Sequence, residues 1–162
     1  MSAARLPLPT LLRVFWRSLF LQAAWNPQGM QNLGFAYALY PALKRLYPEP
    51  ERLRVAAERH LQFFNCHPYA AALILGGAVQ HEERIARGEE PAEGVSTFKQ
   101  ALMGPMAALG DGFFWLSLQP ACGTVAVLAA LFLDLWGILV YLLGYNVIHL
   151  VLRGWFFAAG YR

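Results

Sequence analysis

Lys99-Gln-Ala-Leu-Met-Gly-Pro-Met-Ala-Ala-Leu-Gly-Asp111 does not suit an ordinary helix. Gly104-Pro105 interrupts an apolar sequence, and Gly110-Asp111-Gly112 interrupts it again just before Phe113 to Leu133, 21 residues without a charge. A water-soluble protein gains little from breaking apolar segments beside one of membrane length. A chain inside a bilayer does gain, because unwound backbone supplies polar groups where it lines a cavity. The stretch therefore predicts an all-α, helical integral membrane protein.

Downstream, residues 113–152 hold one full charge, Asp134. They divide into spans 113–133 and 135–152, a transmembrane hairpin with a very tight turn at Asp134. The second span has 18 residues, near the lower limit of the roughly 17–25 that cross a bilayer. Arg84, Arg87 and Lys99 precede the pair, Arg153 and Arg162 follow it, and the turn carries no basic residue. Both ends of the hairpin should then face the cytoplasm. Gly137 and Gly144 put small residues on one helix face, where another helix can approach. Asn146 and His149 read as a hydrogen bond across the bundle rather than a ligand site.

Upstream, Tyr69 to Val79 has 11 uncharged residues, too short to span and suited to a re-entrant or buried helix. His81 to Glu93 reads as a solvated loop, and Thr97 to Met103 as a short helix leading into the Gly-Pro break. Glu51 to Phe64 is a charged amphipathic helix, with Leu53, Ala57 and Leu61 at four-residue spacing. Met30 to Tyr40 is a helix ending at Pro41, after a turn at Asn26-Pro27-Gln28-Gly29. Residues 9–25 form an amphipathic helix in which Leu12, Phe15, Trp16, Leu19 and Ala23 share a face and Arg13 and Arg17 stand on another. Such a helix lies flat in the membrane interface or packs on the protein's own core. The 162 residues make one module: an amphipathic, interfacial and re-entrant part (1–112) and the hairpin (113–152).

Composition agrees with a membrane protein. The chain is 57% apolar with a mean hydropathy of +0.38, against about 45–50% apolar in soluble domains. Leu19 to Trp25 is too short for a signal core and follows Arg13 and Arg17, so internal segments should direct insertion. The net charge of +3 does not imply nucleic acid, since the basic residues are scattered and alternate with glutamates in 81–99. Cys66 and Cys122 lack metal or redox spacing and read as free thiols.

No catalytic set assembles along the chain. His81-Glu82-Glu83-Arg84-Ile85 begins like a zinc-protease motif, but Ile85 stands where the second His is required. His60, Cys66, His67 and His81 lack closed-site spacing, so neither metal nor cofactor is expected. Phosphate-cradling and nucleophile motifs are absent. What remains is Asn65, His67, Glu82, Lys99 and Asp111, polar groups flanking the short helix and the Gly-Pro break. Two readings stay open for Asn65, His67 and Asp111: caps on helix ends, or lining of a path for a hydroxyl-rich solute. The two are compatible, because a broken helix end points its polar groups into a cavity.

The Gly104-Pro105 to Gly110-Asp111 stretch, Phe63-Phe64-Asn65-Cys66-His67-Pro68 and Gly160-Tyr161-Arg162 together resemble the IID membrane component of the mannose/fructose/sorbose-type bacterial phosphotransferase system. The resemblance begins near Phe15-Trp16-Arg17-Ser18 and runs through Gln22 to Asn26 and Gly34 to Tyr37. It implies a permease subunit that pairs with a IIC subunit in the bacterial inner membrane, as a multi-pass protein, to translocate a hexose-class sugar. Soluble IIA and IIB components would carry the phosphate on their own histidines, so no phosphoacceptor is expected here. IID components usually continue past a Gly-Tyr-basic sequence. On that ground the chain could be a shortened form, and the alternative reading is a non-transporting membrane or regulatory subunit of a reduced system.

Overall fold

A computed structural model describes residues 5–162, and among these the architecture is helical, with only isolated bridges at Asn26–Met30 and Met30–Phe64. α1 (Leu8–Ser18) starts behind Pro7, with proline in its first turn, where a missing N–H costs nothing. It buries Thr10, Val14 and Ser18 and leaves Leu8, Leu12 and Trp16 exposed, so it serves the core on one face and an apolar medium on another. The helix expected over 9–25 stops at Ser18. Leu19, Phe20 and Leu21 donate to Trp16, Arg17 and Ser18, a tightened winding that buries Leu21 and sets its carbonyl against Gly34.

α2 (Asn32–Leu46) runs straight through Pro41, where a stop was expected. A proline there deprives the Tyr37 carbonyl of its helical donor. Arg17 replaces it: Nη1 donates to the Tyr37 oxygen at 3.3 Å while the guanidinium lies 4.6 Å from the Tyr37 ring centre. α3 (Pro50–His60) ends before the expected Phe64. Phe64 is taken into backbone pairing instead, donating to Gly29 and accepting from Gln31.

α4 (Ala71–Ala86) is longer than the expected 69–79 helix and absorbs His81 to Ala86, which were read as loop. Apolar residues surround its first three turns, the pattern of a buried helix. Here α4 is enclosed by protein: it packs against α2, α5 (Glu93–Gly110) and above all α7 (Trp136–Tyr161). Close approach to α7 depends on glycine. A Cβ on Gly76 would strike the Phe157 carbonyl, and one on Gly160 the Leu73 carbonyl.

The Gly-Pro stretch does not break the chain. α5 (Glu93–Gly110), a π-helical turn (Asp111–Leu118) and α6 (Gln119–Leu133) form one continuous helix of 41 residues, roughly 60 Å long at 1.5 Å per residue. The wide turn precedes Pro120, which cannot donate to Leu116 and whose ring crowds the preceding turn. Ser117 Oγ donates to the Gly112 carbonyl five residues back, at 2.9 Å. Asp134, at φ 48°, makes the expected tight turn into α7 (Trp136–Tyr161). Gly137 faces α6, where an added Cβ would lie 2.7 Å from that of Ala130, but Gly144 looks into open space. Both long helices are apolar enough to cross a membrane, and α6 buries none of its residues. Phe132 and Leu135 at the hairpin tip are 86% and 80% exposed, a surface that suits lipid or an apolar partner.

Candidate functional site

Two polar clusters are built into the apolar body. The first centres on Glu82, fully buried on α4. Its Oε1 accepts from Arg59 Nε at 2.7 Å and faces His60 Nε2 at 2.8 Å; its Oε2 accepts from Tyr47 Oη at 2.7 Å and Arg59 Nη2 at 2.9 Å. Burial alone would raise the Glu82 carboxyl, but the His60 and Arg59 hydrogen bonds outweigh it and bring it down to about 2. Burial pushes His60 down to about 4, so at neutral pH its imidazole is uncharged and donates to Glu82 through Nε2. The Tyr47 hydroxyl, raised by burial and by the Glu82 charge, stays protonated and donates as well. Glu82 is thus an ionised carboxylate with both oxygens bonded, the condition under which a buried charge is tolerated.

Glu83, the next residue on α4, points elsewhere. Its Oε1 accepts from the Leu6 amide at 2.7 Å and Tyr161 Oη at 2.6 Å, tying the segment before α1 and the last turn of α7 to one helix. Lys99 reaches the core from α5 and is buried with no hydrogen-bond partner for Nζ among the described residues. Its compensation is aromatic: Nζ lies 4.8 Å from the Phe35 ring centre and 5.8 Å from that of Phe64.

The second cluster surrounds His67. Its ring stacks on Phe114 at 4.9 Å and meets Tyr69 and Trp115 edge-on at 5.1 and 5.0 Å. Nδ1 accepts the Tyr69 amide at 3.3 Å, and Nε2 has no partner among the described residues. Burial brings His67 down to about 4, with the Asp111 charge opposing and Arg153 reinforcing, so the ring is neutral at physiological pH. Gly110 is required beside it, since a Cβ would enter the imidazole. Tyr69 stacks in turn on His149 at 4.2 Å, and Arg153 lies 5.8 Å from the Tyr69 ring centre while Nη2 donates to the Ser18 carbonyl.

The structure therefore divides the five residues singled out from the sequence. His67 and Asp111 come to one corner, with Asn65 exposed two residues before His67; Glu82 and Lys99 belong to the buried cluster beyond Phe64. Asn65 and Asp111 are not side-chain caps: Asn65 is exposed, and Asp111 has helical backbone (φ −63°, ψ −45°) inside the long helix; His67 does satisfy the Tyr69 amide in the turn that leads into α4. His149 bonds Asn146 Oδ1 at 3.0 Å within α7, not across the bundle. Sequence reasoning missed Tyr47, Arg59, Tyr69, Phe114 and Arg153. Only Arg153 carried a signal, a charge enclosed by an apolar segment; it was read as a topology marker. Among the described residues no three His, Cys, Asp or Glu side chains come together as a metal site. Burial raises the Cys66 thiol to about 12, far from a reactive thiolate. The site has no nucleophile beside a base. It offers neutral imidazole, hydroxyl and amide groups among aromatic faces, a chemistry of recognition.

The chain is similar to known proteins in sequence and in fold. Residues 6–162 match EIID-AGA, the PTS system mannose/fructose/sorbose family IID component. The chain is 40% identical over 150 residues to the PTS system mannose-specific EIID component of Escherichia coli K12, covering 91% of this chain and 53% of that protein. It is 32% identical over 158 residues to the fructose permease IID component of Bacillus subtilis 168, covering 97% and 58%. It also superposes on a chain of the cryo-EM complex of the mannose transporter ManYZ with microcin E492 (MceA), with a TM-score of 0.93 and 37% identity over 98% of this chain and 59% of that one. The chain thus spans somewhat more than half the length of these relatives. A match over nearly every described residue, in sequence and in fold, makes the chain a member of the mannose/fructose/sorbose family of phosphotransferase system IID components.

Proposed function

We propose that the chain acts as the IID subunit of a mannose-family sugar permease. With a IIC subunit it forms the unit that translocates a hexose-class sugar, and soluble IIA and IIB components phosphorylate that sugar as it enters. The observation that carries this reading is the superposition on a chain of a mannose transporter complex over 98% of the chain. The protein resides in the bacterial cytoplasmic membrane as a multi-pass module, with both ends of the hairpin on the cytoplasmic side. It contributes no phosphoacceptor of its own. His60 is locked onto Glu82, His67 is enclosed by aromatic rings and His81 Nδ1 is 2.5 Å from Glu90. Asn65, His67 and Asp111 line the sugar path, while Glu82 and Lys99 hold the scaffold behind it.

The test is sugar binding and phosphate-dependent uptake by the chain reconstituted with its IIC partner, normalised to assembled protein. Alanine at Asn65, His67 or Asp111 removes hydrogen bonds worth about 0.5–1.5 kcal/mol each, so sugar affinity should fall several-fold to about tenfold. Unchanged affinity in all three variants would remove them from the path. A wild-type complex with neither binding nor uptake would overturn the function.

A further inference from the structure

Along the seam between α1 and α2 lies a cleft of about 470 Å³ whose walls are strongly basic. α1 contributes Thr10, Arg13 and Arg17, spaced so that they share one face, and α2 contributes Tyr40, Lys44 and Arg45 from its C-terminal turns. Arg13, Lys44 and Arg45 are exposed, and among the described residues none of the four cations has a carboxylate within ion-pair distance. The contrast with α3 is plain, where Arg54 is matched by Glu51 and Glu58. A concavity with four uncompensated positive charges, a hydroxyl and a phenol is suited to a phosphate-bearing anion.

The surroundings say which kind. The same seam continues, past the Arg17–Tyr37 contact, into an apolar groove of about 430 Å³ walled by Phe20, Ala23, Leu33 and Tyr37. Arg13 to Phe20 and Lys44 to Tyr37 are each seven residues, about 10 Å along the seam. A headgroup region occupies about 5–7 Å of each leaflet, so with the phosphate among the cations the groove meets the upper part of an acyl chain. Leu12 and Trp16, exposed on α1 beside the arginines, add an apolar flank that an acidic soluble protein would leave in water.

We infer that the α1–α2 seam is a binding site for one anionic phospholipid, its phosphate among Arg13, Arg17, Lys44 and Arg45 and an acyl chain in the groove of Phe20, Ala23, Leu33 and Tyr37. Such a site anchors the amphipathic α1 at the membrane surface and fixes the depth of the helical body. It is independent of sugar translocation, so loss of uptake does not bear on it.

The test uses the full chain in mild detergent, titrated with short-chain phosphatidylglycerol, with phosphatidylcholine of equal chain length and with inorganic phosphate. Thermal stabilisation and lipid retained in native mass spectrometry are the readouts. Phosphatidylglycerol should bind selectively. The combined Arg13→Gln, Lys44→Gln and Arg45→Gln variant should lose roughly fivefold in affinity per removed cation, about a hundredfold in all. Arg54→Gln, which removes a charge outside the cleft, should leave the affinity unchanged. Lys44→Gln and Arg45→Gln, at exposed positions, give the same reading singly if the triple variant does not fold. Equal affinity for the two lipids, full affinity in the cleft variants, or phosphate binding as tightly as the anionic lipid would each overturn the assignment.

Discussion

Glu82 shows how one buried carboxylate sets the acid limit of the fold. Glu82→Ala leaves Arg59 and Tyr47 without their acceptor and should cost about 3–5 kcal/mol, read from thermal unfolding of the purified protein. Glu82→Gln keeps the shape and should cost less. The pH dependence follows from three shifted groups. His60 and His67 are each lowered from 6.5 to about 4, so the unfolded chain takes up their protons first and stability declines as pH falls from about 6.5 to 4. Glu82, lowered from 4.5 to about 2, prolongs the decline from about 4.5 to 2. A melting temperature that is flat from pH 7 to 4 would exclude this. Arg17 offers a second test. Arg17→Ala should cost about 0.5–1.5 kcal/mol, because the Tyr37 carbonyl loses its donor. In a Pro41→Ala background the restored amide supplies that donor, and the cost should largely vanish in a double-mutant cycle. The same residues mark what the sequence could and could not reveal. Proline at position 41 was legible as a missing donor but not as one replaced from another helix by Arg17, 20 residues before the Tyr37 carbonyl that it serves. Glu82 was legible as polar beside apolar, but its partners lie 22 to 35 residues distant.

At the scale of elements, glycine determines how closely helices meet. Gly160→Leu should force α7 away from the Leu73 carbonyl, at about 3 kcal/mol or more, whereas Gly144→Ala, facing open space, should be neutral or stabilise by up to about 1 kcal/mol. Equal effects would mean that α4 and α7 do not pack as described. The turn at Asp134 and both apolar segments were readable from charge and length alone, because a bilayer imposes a length that a soluble core does not. Helix continuity through Gly104-Pro105 was not. Gly104 and Pro105 sit on an exposed face of α5 where no neighbour is displaced, so the helix carries them without a break; the π-helical turn lies further on, before Pro120. The helix expected over 69–79 was cut short in the reading because His81, Glu82 and Glu83 look solvated. The burial of Glu82 and Glu83 depends on Arg59, His60, Tyr161 and the Leu6 amide, all remote in sequence, while His81 stays half-buried against Glu90.

For the whole molecule, the distribution of basic residues predicts orientation. Cysteine labels at Gly88 and Arg162 should react from the cytoplasmic side, and one at Asp134 from the opposite side or not at all. Labelling of 88 and 162 from opposite faces would contradict the hairpin. The 41-residue helix has a further consequence. It is roughly twice the thickness of a bilayer's hydrocarbon core, about 30 Å. Its first half is moored to the body through Val95 and Lys99, while α6 touches α7 and buries nothing. The hairpin is therefore a cantilever, about 30 Å from Phe114 to its tip. The turn where helical winding loosens sits at its root, against the stacked His67 and Phe114 rings. A sideways load at Leu135 is shared between α7, packed on α4, and that joint, so a tug on the tip reaches the pair of rings at the aromatic corner as torque at one of the lever's two roots.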